Sequence, residues 1–210
     1  MPPSATSADR WLARSHALLG AGLLGGFLIY HLLQLWPVLA AREAWVASVP
    51  EGGGGHRMLA GWVLVVLVVH GVLGAMRIAR SKGAELSRDE RGLRSIQAIS
   101  GVLIGAFVVY HLVHVWGLDA EPHGSARAIY DRLWRSLGQP LQMSAYLLGI
   151  SLVCFHFGHG LSRVVLGWGS APPSSGRRLV VRVLAGVIGF GLWGFWLQVL
   201  AHFVIGQRLF

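Results

Sequence analysis

The chain has 210 residues, 54% of them apolar and only 13% charged, with a mean hydropathy of +0.56. A soluble domain carries about 25% charged residues, so these figures exclude most soluble folds, and they exclude intrinsic disorder as well. The solvent that suits such a chain is lipid, in which a spanning helix takes about 20 residues.

Residues 1–14 read as a cytoplasmic tail, rich in Pro, Ser, Ala and Thr over its first ten positions. The tail lacks the short apolar core and cleavage site of a signal peptide, so the first apolar segment is expected to be retained. Residues 15–210 read as one transmembrane domain. Five apolar stretches cover about 15–36, 58–79, 96–117, 141–163 and 181–204, none with an Asp or Glu. Each is long enough to cross the ~30 Å hydrocarbon core. Each is expected to be helical, because lipid cannot satisfy a bare backbone. Breakers mark three of the four connections: Gly52 to Gly55, Pro122 with Gly124, and Pro172 to Gly176. The expected fold is therefore all-α, an integral membrane bundle of five transmembrane helices.

Lys and Arg number 18 against nine Asp and Glu, and Lys82 alone among the bases is not arginine. No basic stretch is interleaved with aromatics, so nucleic acid is not expected as a partner. With the N-terminus inside, 12 bases fall on the inner side (Arg10, Arg14, Arg77, Arg80, Lys82, Arg88, Arg91, Arg94, Arg163, Arg177, Arg178 and Arg182). Six fall outside: Arg42, Arg57, Arg127, Arg132, Arg135 and Arg208. The positive-inside rule then places the N-terminus in the cytoplasm and the C-terminus outside. The single Cys154 excludes an internal disulfide, a CxxC zinc site and a cysteine-held iron–sulfur cluster. Small residues recur at close spacing, as in Gly22 with Gly26, Gly101 with Gly105, and Gly186, Gly189, Gly191 and Gly194. They can serve close helix packing or leave space for a flat prosthetic group, and glycine alone does not decide.

Ten histidines outnumber the acidic residues, and His31, His70, His111, His114, His156, His159 and His202 all lie in the spans or at their ends. An ionisable group within a membrane is costly and marks a functional candidate. Helix rise converts position to depth. His31 lies about 24 Å from the inner boundary and His111 about 22 Å; His70 lies about 12 Å from it and His156 about 8 Å. Two layers result, His31 with His111 outside and His70 with His156 inside. Two imidazoles from facing helices at one depth are what a bis-histidine haem needs. Zinc suits the pattern less well, since it needs three or four ligands at one point. His114 and His159 sit one turn from His111 and His156, on the same faces.

With these residues in place, the sequence resembles the five-helix, two-haem cytochrome b membrane anchors (cytochrome b558 type) of succinate:quinone oxidoreductases and fumarate reductases. The resemblance is carried by HALLGAGLLGGFLIYHLL with His31, VVHGVLGAMRIA with His70, ISGVLIGAFVVYH ending in His111, and FHFGHGL with His156. It covers about residues 11 to 204. It implies two haems b, with His31 and His111 as axial iron ligands of the distal one and His70 and His156 of the proximal one. It implies Arg14, His16, Arg94, Gln97 and Arg163 as contacts for haem propionates, and Gln34, Trp36, His114 and Trp116 as candidates for a quinone site, menaquinone being favoured. Succinate chemistry, with covalent FAD and iron–sulfur clusters, would belong to separate flavoprotein and iron–sulfur subunits. These would dock on the inner face near the Arg77–Arg94 loop of a bacterial cytoplasmic membrane. Some relatives move protons through a glutamate within a helix; Cys154 stands at that place here, two residues before His156. Other readings of the same histidines are a cytochrome b subunit of a formate dehydrogenase or hydrogenase, and a haem-free membrane scaffold.

Overall fold

The structure is a computed structural model that describes residues 6–49, 54–80, 88–119, 125–167 and 174–205. The side chains of residues 54–57, 88–90 and 116–119 lie outside the described set. The described residues form α1 (Ser7–Ala17), a π-helical turn (Leu18–Leu24), α2 (Gly25–Leu35), a 3-10 turn (Trp36–Leu39), α3 (Arg42–Ser48), α4 (Gly54–Arg80), α5 (Arg88–Asp119), α6 (Ala126–Leu137), α7 (Pro140–Gly167) and α8 (Ser175–Ile205). Five helical stretches are long and apolar enough to cross a membrane: Ser7–Leu39, Met58–Arg80, Arg91–Val115, Pro140–Gly167 and Ser175–Ile205. Their outer faces carry Val102, Phe190 and Leu141, each more than two-thirds exposed, as lipid-facing side chains should be. The protein is an all-helical membrane protein.

The first span begins earlier than its hydropathy suggests. Thr6 caps α1 at Ser7, taking a bond from the Asp9 amide while Asp9 bonds back to the Thr6 amide. This reciprocal cap satisfies two of the free N–H groups at the helix start. Residues 7–14 are therefore helical, with Leu12 buried, and continue the span rather than forming a loose tail. Beyond α2, Pro37 cannot extend the α-helix, and the chain tightens into the 3-10 turn.

Two short helices stand where the sequence suggests only loops. Helix α6 starts at a Ser125 cap, where the side chain accepts from the Ala128 amide. It buries Tyr130 and Leu137 and packs on α8, α3, α5 and α7. Helix α3 buries Trp45, whose ring meets Tyr130 and Phe203. Arg42 pairs with Asp131 and lies over the Tyr130 ring, 5.4 Å from its centre. Burial pushes the Tyr130 phenol above its ordinary value, against the opposing charge of Arg42. These helices close one end of the bundle, the capped end; the start of α1 lies at the other, the N-terminal end.

Four spans form a ring. The first span packs on α4 and, through the π turn, on α7; α4 packs on α5, and α5 on α7. Helix α8 stands outside this ring, laid along α7. Its crossing with α7 is a close approach of small residues. A Cβ on Gly158 would lie 3.0 Å from the Ala185 carbonyl oxygen, and one on Gly189 would lie 3.0 Å from that of Cys154. The diagonals of the ring, the first span with α5 and α4 with α7, make little backbone contact.

Candidate functional site

The four histidines stand on the two diagonals. His31, on α2, faces His111 on α5 with ring centres 6.1 Å apart and planes at 65°. His70, on α4, faces His156 on α7 with ring centres 6.5 Å apart and planes at 76°. All four side chains are half-buried. A metal–imidazole bond is about 2.0 Å long, so two imidazoles on opposite sides of one metal have ring centres about 6 Å apart. Both separations match that span. Among the described residues no group of three His, Cys, Asp or Glu side chains gathers at one point. A pair of nitrogens on opposite sides of one metal is the protein ligand set that suits haem, whose macrocycle fills the other positions.

Hydrogen bonds fix which nitrogen the His70 and His156 rings, the pair nearer the N-terminal end, present. The His70 Nδ1–H donates to the His16 main-chain oxygen at 3.2 Å, and a carbonyl can only accept. On α5 the Ser100 hydroxyl donates to the Gln97 carbonyl, so its oxygen accepts from His156 Nδ1–H at 2.9 Å. Both rings are thus left with a lone pair on Nε2. Such an outer bond on the non-ligating nitrogen is the usual support of a metal-bound histidine. At the other diagonal, His111 Nδ1 meets the Tyr146 hydroxyl at 3.1 Å. His31 lies against Phe27 and Trp196.

The inner rings rest on glycines. A Cβ on Gly20 would stand 2.5 Å from His70 Cε1, and one on Gly101 would stand 3.2 Å from His156 Cε1. Gly20 lies inside the π turn, a local widening that recurs at functional sites. The glycines thus divide between two uses. Gly158 and Gly189 serve helix contact, while Gly20 and Gly101 make room for imidazoles. A Cβ on Gly22, Gly26, Gly105, Gly186, Gly191 or Gly194 would meet nothing within 4 Å.

The polar residues expected around these pairs are distributed unevenly. The His16 ring stacks on His70 with centres 4.0 Å apart, and its Nδ1 accepts from Arg77 at 3.1 Å. Gln97 donates to the His156 carbonyl and accepts from His159 Nδ1–H. Arg94 and Arg163 lie within electrostatic reach of Arg77, gathering three guanidiniums from α4, α5 and α7 at the N-terminal end. Arg14 is exposed on α1. The 77–94 loop expected to dock a partner lies largely outside the described residues.

The expected quinone residues are held by separate partners. Gln34 donates to Tyr30, Trp36 stacks on Phe195, and His114 meets Tyr146 and Ser136 at 2.7 and 2.8 Å. The Trp116 side chain lies outside the described residues. Four contributors escaped the sequence reading: Arg77, Ser100, Ser136 and Tyr146. Two were in principle visible. Arg77 lies two turns from His70 on the same face of α4, and Ser100 lies three turns before His111 on α5. Tyr146 looks like any apolar-span aromatic, and Ser136 lies on a helix the hydropathy does not show.

No family model and no solved structure matches the chain. Over 174 residues, 80% of this chain and 84% of the relative, it is 26% identical to the succinate dehydrogenase cytochrome b558 subunit of Bacillus subtilis (strain 168). Along most of its length the chain is thus similar to a succinate dehydrogenase cytochrome b558 subunit, in keeping with the resemblance carried by His31, His70, His111 and His156.

Proposed function

We propose that the chain is the cytochrome b membrane anchor of a succinate dehydrogenase, with one haem b between His70 and His156 and a second between His31 and His111. It would carry electrons between an iron–sulfur subunit and a membrane quinone, menaquinone being favoured, in a bacterial cytoplasmic membrane with its N-terminus inside. Bound in these two places, haem supplies a one-electron carrier in each half of the bilayer. The observation that carries the reading is the pair of diagonal imidazoles 6.1 and 6.5 Å apart. The tautomers of His70 and His156, set by His16 and Ser100, add to it.

The chain's own residues have four tasks. His31, His70, His111 and His156 supply axial nitrogens. The His16 carbonyl and the Ser100 hydroxyl hold the inner rings with Nε2 free. Arg94 and Arg163, joined by Arg77, form a cationic end on the N-terminal side that suits carboxylates such as haem propionates. Arg14 lies near the start of the first span, on α1. His16 and Gln97 are committed to the ligand histidines and their helices instead. A flavoprotein with covalent FAD and an iron–sulfur subunit are the partners this role requires, and succinate would react in the flavoprotein, not in this chain.

Purified protein reduced with dithionite should show b-type α and Soret bands, with two haems per chain. Co-purification with a protein carrying covalent FAD should accompany them. A purified, folded chain with no haem bands would overturn the haem reading. A molybdenum or nickel subunit in place of the flavoprotein would overturn the succinate assignment.

A further inference from the structure

The outer histidine pair carries a chain of hydrogen-bonded side chains that reaches another helix. His111 Nδ1 meets the hydroxyl of Tyr146, and the same hydroxyl meets His114 Nδ1 at 2.7 Å. His114 Nε2 then meets Ser136 Oγ at 2.8 Å, on the capping helix α6. Tyr146 is buried, 6% exposed, and its ring stands edge-on between the two imidazoles at 5.7 and 5.6 Å. Its far side is closed by Phe107 at 5.7 Å.

One requirement orders the whole chain of bonds. If His111 offers its Nε2 lone pair to a metal, its Nδ1 carries the proton and donates to Tyr146. The tyrosine hydroxyl has a single proton, which then goes to the bare Nδ1 of His114. His114 must in turn hold its proton on Nε2 and donate to Ser136. Each donor is matched with one acceptor over three bonds and four side chains from α5, α7 and α6. Chains of this kind polarise one another.

We infer that Tyr146 is a positioning residue of the outer site: it fixes the tautomer of His111 and, with His114 and Ser136 behind it, draws the Nδ1 proton outward and makes His111 a more basic ligand. A more basic axial imidazole favours the oxidised metal. The outer potential is therefore held low by a chain of side chains that ends on the cap, whereas the bonds behind His156 run through Ser100 to the Gln97 main-chain carbonyl and stay within α5. This rests on the reading of His31 and His111 as haem ligands.

The test is a redox titration of the purified complex, followed by absorbance and electron paramagnetic resonance. The ligand reading is checked first and separately: the wild type should show two resolved haems and His111→Ala should lose the outer one, and failure of either removes that reading before Tyr146 is in question. Tyr146→Phe keeps the ring and removes the hydroxyl, and should raise the midpoint of the outer haem while leaving the inner one in place. His114→Leu leaves the His111–Tyr146 bond and removes only the next acceptor, so it should raise the same midpoint by less. It also supplies the answer if Tyr146→Phe does not fold. Nitrogen-15 resonances of labelled histidine in the dithionite-reduced complex give a second readout: the His111 Nδ1–H resonance should shift in Tyr146→Phe as its acceptor is lost. An unmoved outer midpoint, or equal movement of both midpoints, overturns the inference, and so does an unmoved His111 Nδ1–H resonance.

Discussion

His70 Nδ1 lies 3.2 Å from the main-chain oxygen of His16, and the His16 ring stacks on His70 with centres 4.0 Å apart. The first span thus touches the inner site twice through one residue, by its backbone and by its side chain. The two roles can be separated. His16→Ala keeps the carbonyl and loses the stack, so both haems should remain bound. The absorption band and midpoint of the inner haem should shift, with those of the outer haem unchanged.

Gly20 carries the complementary prediction. Its missing side chain seats His70, and a methyl group there would stand 2.5 Å from Cε1. The ring must move off the axis it shares with His156. Gly20→Ala should therefore reduce the haem content, measured as pyridine haemochrome per protein, from two per chain to one, with the outer haem retained. Equal loss of both haems would point to general unfolding instead.

Among the described residues, the Ser100 hydroxyl supports His156 Nδ1, at 2.9 Å. Ser100→Ala removes an acceptor whose bond is worth about 1 kcal/mol and makes His156 a less basic ligand. The inner midpoint should rise in a redox titration while the haem stays bound. A fall of that midpoint would show that the serine does not act through the ligand.

The contact of α7 with α8 should behave differently from any of these. Gly189→Val drives a branched side chain into the Cys154 carbonyl, and backbone cannot turn aside as a long side chain can. Overpacking costs about 1–3 kcal/mol. The thermal midpoint in detergent should fall, and both haems should be lost in one transition, because α8 supports the ring from outside.

Much of this architecture was legible in the residues. Five spans follow from composition, and the depths of His31, His70, His111 and His156 follow from helix rise once directions alternate; the structure places the same two pairs together. What escaped has physical reasons. Helices α3 and α6 are short and interfacial, with too little apolar sequence to stand out. The start at Ser7 depends on a cap, not on hydropathy. The π turn leaves no mark in periodicity beyond a run of small residues. His16 is at the expected end of the bundle, yet its neighbour is an imidazole, which depth alone cannot distinguish from a propionate. The candidates Gln34, Trp36 and His114 share a depth but not a set of partners.

The pairing of histidines across the diagonals is tested most directly by haem counts in paired substitutions. His70→Ala and His156→Ala together should lose the same single haem as either alone, because in the proposed pairing both serve one metal. His31→Ala and His70→Ala together should lose both haems. Retention of one haem in that second double variant, in a protein that still folds, would contradict the two-layer arrangement.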